Sequence, residues 1–375
     1  NSSGTVVHHP NSIDKNYGGD EILELKKEFS DEFSSSPFNT SRLLTQFDYS
    51  DISSSMVSGE ITSPKFYLRY YEVEGQQVLD KTYSLSTHPL SQSWDEGVGK
   101  HFDNPKTKNG ISWSGSLWLK GGGAGYSGSR TTGGGLWLTG SAYDTSQTFT
   151  NQSPDIEMDV TEIVNKHLGG AKQITNYGFI TKISGSYEED NTEINLKFFS
   201  RNTNTIYQPR LEVRWDDSTY SYTGNFENYD EEFNQANGEF NDPNINVNEL
   251  TMSGEFENHI FIKGLQPSYR ESEKVRFRMG CRKKYVQKTF TESIYTSSFH
   301  VPENSGSYSI VDVSTNTAIV PFSDYTKLSA DENSMYFDQW LNTFESGRYY
   351  KILFKLKYND GQELIIDNDE EFKVI

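Results

Sequence analysis

The chain has 375 residues, long enough for two domains, with 53 Asp and Glu against 34 Lys and Arg and a net charge of -19. So negative a chain excludes a sequence-independent grip on nucleic acid, which needs Lys and Arg to displace counterions from phosphate; no apolar run reaches the roughly 20 residues of a membrane-spanning helix. Hydrophobic residues total only 33% while Tyr and Phe each occur 23 times, so burial must lean on aromatics, as in β-rich proteins.

Cys281 is the lone cysteine, so an intrachain disulfide framework is also excluded. The first ten residues, NSSGTVVHHP, are polar and lack a signal-peptide pattern, and are expected to form a flexible arm. Strand patterns follow at Glu21–Leu25, Arg42–Asp48, Lys65–Tyr71 and Tyr83–Ser86. From 110 to 143 the composition turns to Gly and Ser around Leu117-Trp118-Leu119 and Leu136-Trp137-Leu138, which predicts a hairpin with a loose tip. It has no Gly-Lys-Ser/Thr and no helix directly after it, so a phosphate loop is not indicated.

Asp159 and Glu162 have the spacing of a capping-box variant. Val160, Ile163, Val164 and Leu168 give one apolar helix face, and Gly169-Gly170 ends it after about three turns. Strands are then expected at 177–183, at Ile194, Leu196 and Phe198, and at Leu211, Val213 and Trp215, each of the last two sets alternating with polar residues.

Between Arg214 and Lys263 there is no Lys or Arg, while eleven acids accumulate from Asp216 to Glu257. Residues 217–250 cannot build a core and read as an acidic linker or docking arm, whose Phe226, Tyr229, Phe233 and Phe240 favour packing on a neighbour. Its acids offer oxygen ligands to calcium, although EF-hand spacing is absent. From 251 onward, strands at 259–262, 274–279, 307–311, 349–356 and 371–375 predict an immunoglobulin-like sandwich. Arg276, Arg278, Arg282, Lys283 and Lys284 form a basic cluster suited to an acidic arm from another copy, or to a solvated face.

No catalytic constellation stands out. The seven histidines are scattered, none adjoins a nucleophile-elbow motif, and abundant acids are not in themselves a glycosidase pair. His8-His9 has no companion ligand nearby, so no metal and no cofactor is expected there.

The succession Asn16-Tyr17-Gly18, Arg42 to Asp48, Trp94-Asp95-Glu96-Gly97, Asp159 to Val164, Asn176 to Phe179, Ser200-Arg201 and Pro209 to Val213 resembles the DNRLRE-type jelly-roll family. The likeness covers residues 11–216. Members often carry Arg-Pro where this chain has Gln208-Pro209, and here the Gly-rich hairpin is longer than usual. Domains of that family resemble carbohydrate-binding sandwiches and occur in bacterial surface proteins and phage particles. Residues 255–375, through Arg276-Phe277-Arg278, Tyr308-Ser309-Ile310, Ile319 to Phe322, Tyr325 to Ser329 and Arg348 to Leu353, resemble C-terminal parts of structural proteins from marine T-even-like myophages.

The expectation is an all-β chain: an N-terminal jelly-roll β-sandwich with one short helix over 11–216, the acidic stretch, and an immunoglobulin-like β-sandwich over 251–375. The resemblances imply a structural protein of a tailed bacteriophage virion, present in multiple copies and contacting other virion proteins, with no enzymatic activity. The alternative is a carbohydrate-binding surface module whose Trp94, Trp113, Trp118 or Trp137 stacks on host glycan.

Overall fold

The computed structural model describes residues 2–8, 12–29, 38–73, 83–114, 134–149, 155–184, 187–188, 193–221, 247–250, 252, 258–284, 298–331 and 333–375. The chain is all-β in class and divides into two units, residues 1–215 and 216–375.

In the first unit the strands are β1 (Ser2–His8), β2 (Ile22–Phe29), β3 (Phe38–Gln46), β4 (Lys65–Tyr70), β5 (Tyr83–Pro89), β6 (Thr145–Phe149), β7 (Ile156–Asp159), β8 (Phe179–Ile183), β9 (Ile194–Phe199) and β10 (Arg210–Arg214). A large sheet runs β6-β5-β8-β3-β2-β9, with β1 also paired to β3, and a small one runs β10-β4-β7. The chain changes sheet between β3 and β4, β4 and β5, β6 and β7, β7 and β8, and β9 and β10, in jelly-roll manner. Alternation decides which residues meet. Leu23, Leu25, Leu43, Leu85, Phe179, Ile183, Leu196 and Phe198 from the large sheet pack on Phe66, Leu68, Tyr70, Ile156 and Met158 from the small one. Gln147 links the two sheets at one edge, its amide donating to Asp155 O at 3.0 Å and accepting from the Glu157 N–H at 2.7 Å, as a strand backbone would.

Residues 2–8, expected within a flexible arm, instead form β1, antiparallel to β3 from Ser2 opposite Gln46 to His8 opposite Thr40. Val6 is fully buried, so Thr5-Val6-Val7 supplies the anchor that the polar composition around it conceals. Among the described residues the first unit has α-helices at two places, where one was expected. The first, α1 (Ser50–Val57), buries no residue and starts where Asp48 Oδ1 accepts the Ser50 N–H at 3.0 Å. The second, α2 (Thr161–His167), is two turns long and shorter than expected. Asp159 Oδ1 accepts from the Thr161 N–H at 2.9 Å, two residues on, in place of a capping box.

The second unit contains β11 (Val247–Glu249), β12 (Asn258–Lys263), β13 (Ser268–Tyr269), β14 (Lys274–Lys283), β15 (Ser298–His300), β16 (Gly306–Asp312), β17 (Thr317–Val320), β18 (Ser329–Ala330), β19 (Met335–Trp340), β20 (Tyr349–Lys357) and β21 (Glu363–Val374). One sheet runs β11-β15-β14-β19-β18 with β12 on β14, the other β13-β21-β20-β16-β17. Their facing sides form one aromatic-rich core. Phe277 stacks on Phe337 with centroids 5.1 Å apart, Phe337 on Tyr308 at 3.8 Å, and Phe372 meets Phe277 at 5.4 Å. The start and end of the acidic stretch belong to this unit. Thr219 O accepts from the Ala330 N–H at 3.0 Å, and β11 pairs in parallel with β15. Most of the expected arm, including Phe226, Tyr229, Phe233 and Phe240, lies outside the described residues.

Each unit buries an imidazole. Burial pushes His167 down to about 4, and burial does the same to His300, with Asp331 opposing and Lys263 assisting. Both are neutral when folded and gain a proton on unfolding below their ordinary value of 6.5. Stability is therefore present above that value and falls as pH drops from 6.5 towards about 4, by about 3 kcal/mol per histidine at roughly 1.4 kcal/mol per pH unit. Urea unfolding at a series of pH values checks this. A midpoint that stays flat across that window would refute it.

Candidate functional site

Side chains of the large sheet that point away from the core of the first unit face a second, smaller cluster, with Val6, Leu44 and Ile180 from the strands and Leu90, Ile111, Trp113 and Trp137 from the loops. The strand register lays polar groups in rows beneath it. Arg42 lies opposite Val6, the pairing of Leu43 with Thr181 places Arg42 beside Lys182, and Lys182 faces Ser86. Two cations on neighbouring strands would repel each other. Glu188 lies between them, accepting from Arg42 Nε at 2.9 Å and from Lys182 Nζ at 2.9 Å. Burial alone would raise the Glu188 carboxyl, but Arg42 and Lys182 outweigh it and hold the group below the usual carboxylate range.

Arg42 is 2% exposed, and its guanidinium lies 4.6 Å from the Trp113 ring and 4.9 Å from Trp137, while Nη1 donates to Gly134 O at 3.0 Å. Gly134, at φ +78°, has no room for a side chain, since a Cβ would come within 2.4 Å of Arg42 Nη1 and 2.8 Å of Trp113. This corrects the assignment of Trp113 and Trp137 as sugar platforms. They are 0% and 2% exposed and pack on a cation of the same chain, so neither offers an open ring face. Trp94 is half-buried and donates from Nε1 to Tyr177 O at 2.9 Å; Trp118 lies outside the described residues.

Next to this cage, the structure brings together three residues that no sequence spacing singles out. His88 Nδ1 lies 2.8 Å from Asp144 Oδ1, and His88 Nε2 lies 3.2 Å from Ser86 Oγ. Burial lowers the His88 pKa against the raising effect of Asp144, which favours a neutral ring with Nδ1–H donating to Asp144 and Nε2 accepting from Ser86. The order is that of a serine nucleophile relay. Acyl transfer also requires free donors for the developing oxyanion. Here β5 is flanked by β6 and β8, and Ser86 and Thr87 are paired on both sides, so their backbone N–H groups are engaged in the ladders. The trio is a structural bridge from β5 to the 140–144 turn, where Asp144 Oδ2 also accepts the Gly140 N–H at 3.0 Å. A fluorophosphonate probe is accordingly expected to leave the chain unmodified. Intact-mass spectrometry checks this, and an adduct on Ser86 would overturn the structural assignment.

At one end of the same layer, Asn16 braces the 94–111 loop. Its Nδ2 donates to Glu96 O and Ile111 O, each at 2.8 Å, and its Oδ1 accepts from Gly99 N at 2.7 Å and Gly18 N at 3.2 Å. Asn16 is 0% exposed. The approach is close because Gly18 lacks a side chain: a Cβ there would fall 1.8 Å from Glu96 O. In this chain the Asn-Tyr-Gly and Trp-Asp-Glu-Gly motifs are thus two halves of one loop contact.

In the second unit the basic residues are largely committed within the chain. Arg276 donates from Nε and Nη2 to the Asp338 carboxylate at 2.8 and 2.9 Å, its guanidinium 4.1 Å from the Tyr336 ring. Arg278 pairs with both oxygens of Asp331 at 3.0 and 2.9 Å. An acidic arm reaching these two arginines would have to compete with Asp338 and Asp331 for them. Arg282 and Lys284 are exposed, and Lys283 lies at the end of β14. Among the described residues no group of three or more His, Cys, Asp or Glu is placed to hold a metal, and the acids of 222–246 lie outside them.

Neither a family model nor a curated protein matches this chain. The motif resemblances therefore support a proposal and do not assign a family.

Proposed function

We propose that this chain is a structural protein of a tailed-phage particle that works by contact with neighbouring subunits. The observation that carries this reading is the inward commitment of its chemically distinctive side chains. Trp113 and Trp137 close on Arg42, Ser86 and His88 are held in the ladders of β5 with Asp144 bonded to His88 from the adjoining turn, and Arg276 and Arg278 are paired with Asp338 and Asp331. Among the described residues, what remains outward is sheet faces and loops, which suit packing between subunits better than turnover of a small substrate. The resemblances of residues 11–216 and 255–375 point to the same class.

Mass spectrometry and cryo-electron microscopy of purified particles test the proposal. A repeated density that this chain fits is the expected result, and its absence from particles would defeat the reading. The glycan alternative now rests on Trp94 among the described residues. A glycan array is expected to give no hit that Trp94→Ala abolishes.

A further inference from the structure

Among the described residues β12 pairs with β14 alone, so it is an edge of its sheet, and an edge strand offers its free N–H and C=O groups to any strand that can approach. Two of these groups are already taken by side chains of the opposite sheet. Asn368 Nδ2 donates to Ile260 O at 2.6 Å, and Glu370 Oε1 accepts from the Ile262 N–H at 2.7 Å. The amide stands where an incoming strand would bring an N–H, and the carboxylate where it would bring a C=O. Burial raises the Glu370 carboxyl against the Ile262 N–H and Asn368, so its charge is held at this edge at a cost.

Regular pairing would not deliver these two side chains to β12. In β21, Asp367 lies opposite Leu353 and Glu371 opposite Lys351, so Asn368, Asp369 and Glu370 share the single position opposite Ile352 and form a bulge. Asp369 takes a left-handed conformation at φ +54°, its N–H donating to Asp367 Oδ1 at 3.0 Å, and Lys351 Nζ holds the other oxygen of Asp367 at 2.6 Å. The bulge re-aims the residues on both sides of Asp369 towards β12.

The edge so covered is complementary to itself. Ile260 and Ile262 turn their backbone groups outward, and an antiparallel copy of β12 centred on Phe261 would set Ile260 against Ile262 in both directions, with Phe261 against Phe261 and His259 against Lys263. Such a pairing has two-fold symmetry and closes on itself. We propose that the bulge of β21 is an autoinhibitory latch on β12, and that the strand it excludes is β12 of a second copy. Where copies of the chain are crowded, an open edge of this kind would pair, and the latch confines association to other surfaces.

Light scattering over a concentration series tests this on the full chain with two variants. In the first, one valine replaces residues 368–370, which removes the bulge and puts an apolar side chain opposite the buried Ile352. In Glu370→Lys the bond to Ile262 is lost as well, but a lysine at the edge opposes strand addition. The expected result for the valine variant is a mass about twice that of the wild type, with the Ile262 amide still slow to exchange with solvent. Glu370→Lys is expected to keep the wild-type mass while that amide exchanges faster. A folded valine variant with the wild-type mass at every concentration would overturn the proposal. Equal association of both variants would overturn it too, by tracing association to lost stability. Should the valine variant not fold, Asn368→Ala combined with Glu370→Ala opens the same edge and is read against Glu370→Lys in the same way.

Discussion

Replacing Glu188 with alanine is expected to destabilise the first unit by about 3–5 kcal/mol, the usual cost of stranding buried charge without its counter-ion. Arg42 and Lys182 sit beside each other in the sheet register, and Glu188 accepts from both at 2.9 Å. Removing it leaves two adjacent cations, one of them enclosed between Trp113 and Trp137. Glu188→Gln keeps the shape and one acceptor and should lie between wild type and Glu188→Ala. Adding Arg42→Met to Glu188→Ala should recover part of the loss, because the remaining charge is then single and the two rings still have an apolar chain to pack on. Urea titrations followed by tryptophan fluorescence measure all four proteins. A change below about 1 kcal/mol for Glu188→Ala would show that water solvates the site and that the cage is not a closed one. Because the Glu188 pKa is depressed on folding, its contribution is present above the ordinary carboxylate range and lost as pH falls through the folded value. The wild type should then approach the variant in acid.

The sandwich core was legible because alternation alone reports it. Ile194, Leu196 and Phe198 do point inward, as do Phe66, Leu68 and Tyr70. The helix α2 was legible too, since Ile163 and Val164 mark its buried side, but its start was misjudged by the rule that favoured Glu162 as a capping partner. By contrast α1 has no fully buried residue and is rich in serine, and Ile52 and Met56, partly buried against the core one turn apart, are too few to signal it. The opening residues went unrecognised as a strand because Val6 and Val7 stand alone among polar neighbours, and only the pairing with β3 gives them a partner face.

The site was the least legible part, for a reason specific to sheets. Arg42 meets Glu188, 146 residues away, and Gly134, 92 residues away, and nothing local to Arg42-Leu43-Leu44 separates a caged arginine from a solvated one. Tryptophans beside glycines fit an exposed platform as well as a buried layer, and the choice between them depends on which face of the large sheet the loops cover. Ser86 and His88, two apart on one strand, could be read as sharing a face, yet Asp144 joins them only through the turn before β6.

Replacing Asn16 with alanine is expected to cost about 3 kcal/mol or more, because one buried amide serves four backbone groups. Glu96 O and Ile111 O lose their donor, the Gly18 and Gly99 N–H groups lose their acceptor, and each buried group left alone costs about 1–3 kcal/mol unless water replaces the partner. Alanine leaves an amide-sized gap among Gly97, Gly99 and Gly110, which now pack against the Asn16 side chain, and a water taken up there would recover part of the loss. Asn16→Asp separates the two halves of the amide. It retains acceptors for Gly18 and Gly99 but sets a carboxylate oxygen against two carbonyls, so it should destabilise nearly as much as alanine. Amide hydrogen exchange at Gly18 and Gly99 should speed up in both variants while exchange in β20 and β21 of the other unit stays unchanged. Unaltered protection at Gly99 would mean that the loop holds its shape without this side chain. Its stiffness would then have to come from Asp20 and Asp103, whose carboxylates bond the loop at His101, Lys100 and Thr107.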